Sequence, residues 1–148
     1  MYSDTITLFN FYSSSLGDMW YPTVIRNANL LIDKSAIASR YGAESKDNAI
    51  LNIRFTTENG QIFVDGKPYL PPKEWERQTN DKLADSLTFA SGTDFDFFIL
   101  GDYGSTEPIS DDDFDGFYNY MKQEYDFVFA VTSVAKYTAI PHFEITGK

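Results

Sequence analysis

A chain of 148 residues with 43% hydrophobic and 17% aromatic side chains can bury one core and reads as a single packed domain over residues 1–148. Its 12 basic against 22 acidic residues give a net charge of −10, which argues against free-standing nucleic-acid affinity, since neutralising phosphate needs a basic footprint. Cysteine is absent, so disulfides, thiolate zinc sites and cysteine nucleophiles are excluded together.

The opening Met1-Tyr2-Ser3-Asp4 lacks the basic-then-apolar pattern of a signal peptide. No apolar run approaches the ~20 residues of a spanning helix, so no membrane association is expected. Thr5 to Tyr12 alternates with period two and predicts a half-buried strand. Trp20 to Arg26 predicts a second, with Pro22 at an edge or bulge. Asn27-Ala28-Asn29 then reads as a bend into Leu30-Leu31-Ile32, giving an antiparallel pair. From about 33 to 47 the chain turns polar and mixed in charge, which reads as an exposed excursion.

Ala49 to Thr56 is the best strand signal of the first half. Asn59-Gly60 and Asp65-Gly66 are hairpin turns, with Ile62-Phe63-Val64 as a short strand between them. Pro71-Pro72 suits the first turn of a short helix carrying Trp75. Leu87 to Ala90 and Phe95 to Leu100 read as two more strands, and residues 101–108 as a glycine-rich connection. Phe114, Phe117, Tyr118, Met121 and Tyr125 then fall at i, i+3, i+4, i+7 and i+11, which predicts one helix from Ser110 to Tyr125. Ser110 stands at its N-cap position, and Asp111-Asp112-Asp113 sits where the helix dipole favours negative charge. Phe127 to Val134 and Pro141 to Thr146 close the chain as strands. The absence of βαβ alternation points away from a parallel sheet. The fold class expected is mainly β with one long α-helix, a small antiparallel barrel or sandwich.

The chemistry-bearing residues favour structural roles. Asp111-x-Asp113-x-Asp115-Gly116 imitates the start of a calcium loop, but Lys122 stands where the closing glutamate belongs. His142, the only histidine, lies beside Phe143 and reads as a packing or hydrogen-bonding residue. No nucleophile elbow accompanies it. Gly101 and Gly104 make no phosphate loop, because no Gly-Lys-Ser or Gly-Lys-Thr follows. The 22 acids leave a glycosidase-type carboxylate pair open, yet the aromatics, Trp20 and Trp75 included, follow strand and helix periods as a core demands. The sequence therefore offers no catalytic, cofactor-binding or metal-binding residue.

Several segments together resemble a family of tailed-phage and prophage proteins of the head–tail connection. Thr5 to Tyr12 looks like its opening strand and Tyr21 to Arg26 like the next. Tyr69-Leu70-Pro71-Pro72-Lys73-Glu74-Trp75 is similar to a Tyr-Leu-x-Pro-Lys-x-Trp element, and Leu87 to Gly101 to a strand, Gly-Asp, strand, Gly segment. Tyr125-Asp126, Thr132-Ser133-Val134 and His142-Phe143 through Gly147-Lys148 resemble a strand followed by a His-Trp ending. The match is collinear over nearly the whole chain and departs at Phe143, Thr93 and Pro141. What the resemblance implies is a virion structural protein without enzymatic activity or cofactor, a head-closure (stopper-like) subunit assembled in the host cytoplasm. Its partners would be copies of itself in a ring and the adjacent portal, adaptor and tail proteins, with DNA passing nearby without sequence-specific binding. The other readings are a tail-terminator or minor capsid component, and a small cell-wall hydrolase.

Overall fold

The computed structural model describes residues 2–32 and 49–148, and the excursion expected at about 33–47 lies outside them. Strand β1 (Asp4–Ser14) and strand β2 (Gly17–Ile32) form a long hairpin. Strand β3 (Ala49–Arg54) pairs with the far end of β2, Leu30 facing Leu51. Strand β7 (Phe97–Leu100) pairs with β1, strand β9 (Val128–Tyr137) with β7, and strand β10 (His142–Gly147) with both β9 and β3. The order β1-β7-β9-β10-β3-β2 returns to β1, so six antiparallel strands close into a small barrel. Closure removes the unpaired edges that an open sheet of this size would expose.

Between β3 and β7 lie three short strands that form their own sheet: β4 (Thr56–Glu58), β5 (Gln61–Val64) and β6 (Lys67–Pro68). Asn59 (φ 52°) and Gly60 (φ 81°) join the first two, and Asp65 (φ 50°) and Gly66 (φ 82°) the second two. Positive φ at both central residues is the type I′ geometry whose twist matches a hairpin, as the Asn-Gly and Asp-Gly signals predict. Helix α1 (Pro72–Glu76) starts on the expected prolines and buries Trp75. A 3₁₀ turn follows over Asn80–Asp85. Strand β8 (Ile109–Ser110) adds to the edge of β2 at Met19 and Trp20.

Three sequence expectations are corrected. Asn27-Ala28-Asn29 does not turn the chain back: β2 continues through it as one strand of 16 residues, with Asn27 at φ 59° shifting the register against β1. A single left-handed residue makes a bulge, which bends a strand without reversing it. Leu87 to Ala90 is not a strand; it makes one parallel bridge, Leu87 to Tyr69, and its Leu87, Thr88 and Phe89 are buried. The long helix from Ser110 to Tyr125 is also absent. A 3₁₀ turn (Asp111–Phe114) ends at Asp115 (φ 53°) and Gly116 (φ 104°), and only then does helix α2 (Phe117–Glu124) begin. Two consecutive left-handed residues cannot lie inside a right-handed helix.

Alternation along the strands sorts the core into layers. Ile6, Leu8, Ile25, Leu51, Phe98, Phe143 and Ile145 fill the barrel. Phe9, Trp20, Phe97, Ile99 and Val128 face outward and are covered by Phe117 and Met121 of α2. Tyr21, Trp75 and Leu83 form a third cluster with Tyr12 and Met19, in which α1 and its 3₁₀ turn pack against the upper β1–β2 hairpin.

Candidate interaction end of the barrel

β7 is only 4 residues long, and Phe97 at its start faces Phe9 on one side and Ala130 on the other. Beyond that level β1 continues to Ser14 and β9 to Tyr137. At ~3.3 Å per residue these are arms roughly 17–23 Å long. The inserted segment from α1 to Ala90 plugs the gap between them: the Trp75 ring stands edge-on to Tyr12 and Tyr21 at 6.2 and 5.9 Å, and its Nε1 donates to the Ser86 carbonyl (3.3 Å). Both arm tips carry an exposed aliphatic side chain: Leu16 is 92% exposed and Ile140 is 77% exposed. Because β1 and β9 run in the same direction, these tips stand at one end of the barrel.

Below the plug lies a buried polar knot. Asp96 Oδ1 accepts from the Phe11 backbone N–H (2.8 Å), and Oδ2 accepts from Asn10 Nδ2 (2.9 Å) and the Ala90 N–H (2.7 Å). Asn10 Nδ2 also donates to the Thr88 carbonyl (2.7 Å). The knot ties β1, at the level where β7 has stopped, to the segment that fills the gap. Burial raises the Asp96 carboxyl to about 7, against the opposing pull of its N–H donors. Thr88 and Asp96 floor an open cleft of about 370 Å³ between β1 and α1, walled by Phe11, Tyr12, Trp75 and Arg77. The Thr88 hydroxyl is buried without a hydrogen-bond partner.

The residues singled out in the sequence take structural places. Asp111 Oδ1 accepts from Trp20 Nε1 (2.9 Å) and from the Phe117 N–H (2.9 Å), so it caps α2 and anchors it to β2. Ser110 makes no side-chain cap bond. Asp111→Ala is expected to cost roughly 1–3 kcal/mol, read from a urea midpoint, because two part-buried donors lose their acceptor; a loss below about 0.5 kcal/mol would show that water replaces the carboxylate. No group of three His, Asp or Glu among the described residues could hold a metal ion. His142 stacks on Tyr137 (4.8 Å, 12°), and its Nδ1 lies 2.7 Å from the Ile140 carbonyl, at the base of the β9–β10 tip. Sequence reasoning did not find Asp96, Leu16 or Ile140. The readable signal was small: one leucine among Ser13, Ser14, Ser15, Gly17 and Asp18, and one isoleucine before Pro141, both in turns where burial is not expected.

A family model described as a family of unknown function (DUF6751) matches residues 1–148. No curated protein and no solved structure matches the chain. Among the described residues no helix is long and apolar enough to cross a membrane.

Proposed function

The chain belongs to this family of unknown function over its whole length, and on that premise we propose that it is a virion structural protein of the phage neck, a head-closure subunit that works as one copy in a ring between portal or adaptor and tail. It acts by contact and not by catalysis. The observation that carries this reading is the pair of aliphatic tips, Leu16 and Ile140, held on hairpin arms at one end of a closed barrel. Exposed tips of this kind give a means of gripping a neighbour, and burying each side chain in a partner is worth about 2–3 kcal/mol. The acidic surplus of −10 suits a conduit through which DNA moves, since lysine contacts to phosphate would retard it. The collinear resemblance to head–tail connection proteins supports the same reading.

Leu16→Asp with Ile140→Asp tests it, because both sites are exposed and the fold should keep its melting temperature. The expected result is a folded monomer in sedimentation velocity that is lost from assembled particles. A double variant that builds particles at the wild-type yield would remove the basis of the reading.

A further inference from the structure

We infer that the cleft of about 450 Å³ between β2, β6 and the 101–108 connection binds a small oxyanion, of phosphate or carboxylate type, on the ammonium of Lys67. This goes beyond the neck assignment and does not depend on it. Lys67 sits on β6, a strand of two residues fixed by the type I′ turn before it and by the pairing of Val64 with Lys67. Its Nζ donates to the Thr23 hydroxyl at 2.8 Å, and Thr23 itself is only 7% exposed. An ammonium has three N–H bonds to satisfy. One is used, and among the described residues the ion pair present is Arg26 with Asp102 (3.3 Å), which leaves Lys67 without a bridging carboxylate.

A half-buried cation without a bridging counter-ion is costly, and it is an unusual thing to keep in a chain with nearly two acids for every base. Burial lowers the Lys67 pKa, while the charge of Asp85 works the other way without forming a bridge. The opposite wall is polar and fixed. The Thr7 hydroxyl donates to the Gly101 carbonyl (2.8 Å) and accepts from the Tyr103 N–H (2.9 Å), which pins the connection and brings Gly104, Ser105 and Thr106 to the cleft. The Asp102 carboxylate is occupied by Arg26 and the Gly104 N–H (2.8 Å), so Arg26 and Asp102 offset one another. The unbalanced charge in the cleft is Lys67, and the ligand that completes it carries anionic oxygen.

The bland alternative is a lysine that stretches its stem over apolar surface and leaves its head to water. Heteronuclear NMR titration of the full chain with sodium phosphate, at ionic strength held constant with chloride, separates the two. The expected result is a saturable response centred on Thr23, Lys67 and Ser105, weakened about tenfold or more by Lys67→Met and largely kept by Lys67→Arg. Thr106→Val changes the opposite wall without touching the Lys67–Thr23 contact and should weaken binding about threefold, so the test holds even if Lys67→Met unfolds. A second titration with acetate assigns the ligand type: saturation by phosphate alone marks a phosphate-type ligand, and equal saturation by acetate a carboxylate-type one. A response to both anions that never saturates, or an affinity unchanged in Lys67→Met and Thr106→Val, overturns the site.

Discussion

Phe117→Ala is expected to cost about 3–5 kcal/mol, and roughly 6–20 °C in melting temperature for a chain of this length. The ring is fully buried and lies at the centre of the outer layer, with centroids 5.3 Å from Phe9, 5.9 Å from Phe97, 6.0 Å from Tyr103 and 4.9 Å from Phe114. Removing it leaves a cavity walled by other rings, of which Phe9 and Phe97 are fixed on strands and cannot collapse inward. It also takes away the main grip of α2, a helix of 8 residues that is too short to be stable by propensity alone. Chemical denaturation followed by tryptophan fluorescence reads the effect. A loss of less than about 1 kcal/mol would mean that the outer layer contributes little to holding the barrel.

Asp96→Ala is the second large loss, roughly 3–5 kcal/mol at pH 6, because the buried Asn10 amide and the part-buried N–H groups of Phe11 and Ala90 all lose the carboxylate as acceptor. The carboxyl also gives the wild-type protein a pH dependence of definite sign. Folding raises it from 3.8 to about 7, so the folded chain binds the proton more tightly than the unfolded one. Its contribution to stability is present in full below about pH 4 and is lost as the pH climbs through about 7. Between pH 8 and pH 6 the wild type should gain roughly 1–2 kcal/mol that Asp96→Ala does not. Denaturation midpoints at the two pH values check this. An equal gain in the variant would place the pH dependence elsewhere, in the general relief of the acidic surface.

What the sequence made legible is what is decided locally. The alternation from Thr5 to Tyr12 needs only a buried face, and Asn59-Gly60 and Asp65-Gly66 need only positive φ, so all three could be read from neighbours in the chain. The misreadings occur where a local signal has two structural outcomes. Asn27 takes the left-handed conformation that a turn would use, and the ladders with β1 and β3 on either side turn it into a bulge. Phe114, Phe117, Tyr118 and Met121 keep helical spacing across a break, because a 3₁₀ turn and a helix can place rings on the same face; Gly116 inside the pattern was the warning. Leu87 to Ala90 carries a strand's composition but sits between two arms where no free ladder is offered. The candidate sites were the least legible part. Lys67 and Thr23 are 44 residues apart, and Asp96 lies 86 from Asn10, so only the closed barrel, with the small sheet folded onto β2, brings both pairs together.

That same closure sets an order in time. The β1–β2 hairpin can form as soon as its turn at Ser15 and Leu16 has been made, because its pairs are near in sequence. The pairs that shut the barrel are distant, joining Ile6 to Leu100 and Phe97 to Ala130, and folding dominated by such contacts runs in milliseconds to seconds. During synthesis the delay is longer. Trp20 waits for an acceptor 91 residues downstream, which at ~5–20 residues per second is roughly 5–20 s. Throughout that interval the hairpin presents Ile6 and Leu8 on one face and Phe9 and Trp20 on the other, both uncovered. The nascent chain is therefore most prone to aggregate before β7 emerges, and slowing translation near residue 90 should lower the soluble yield more than slowing it after Glu124.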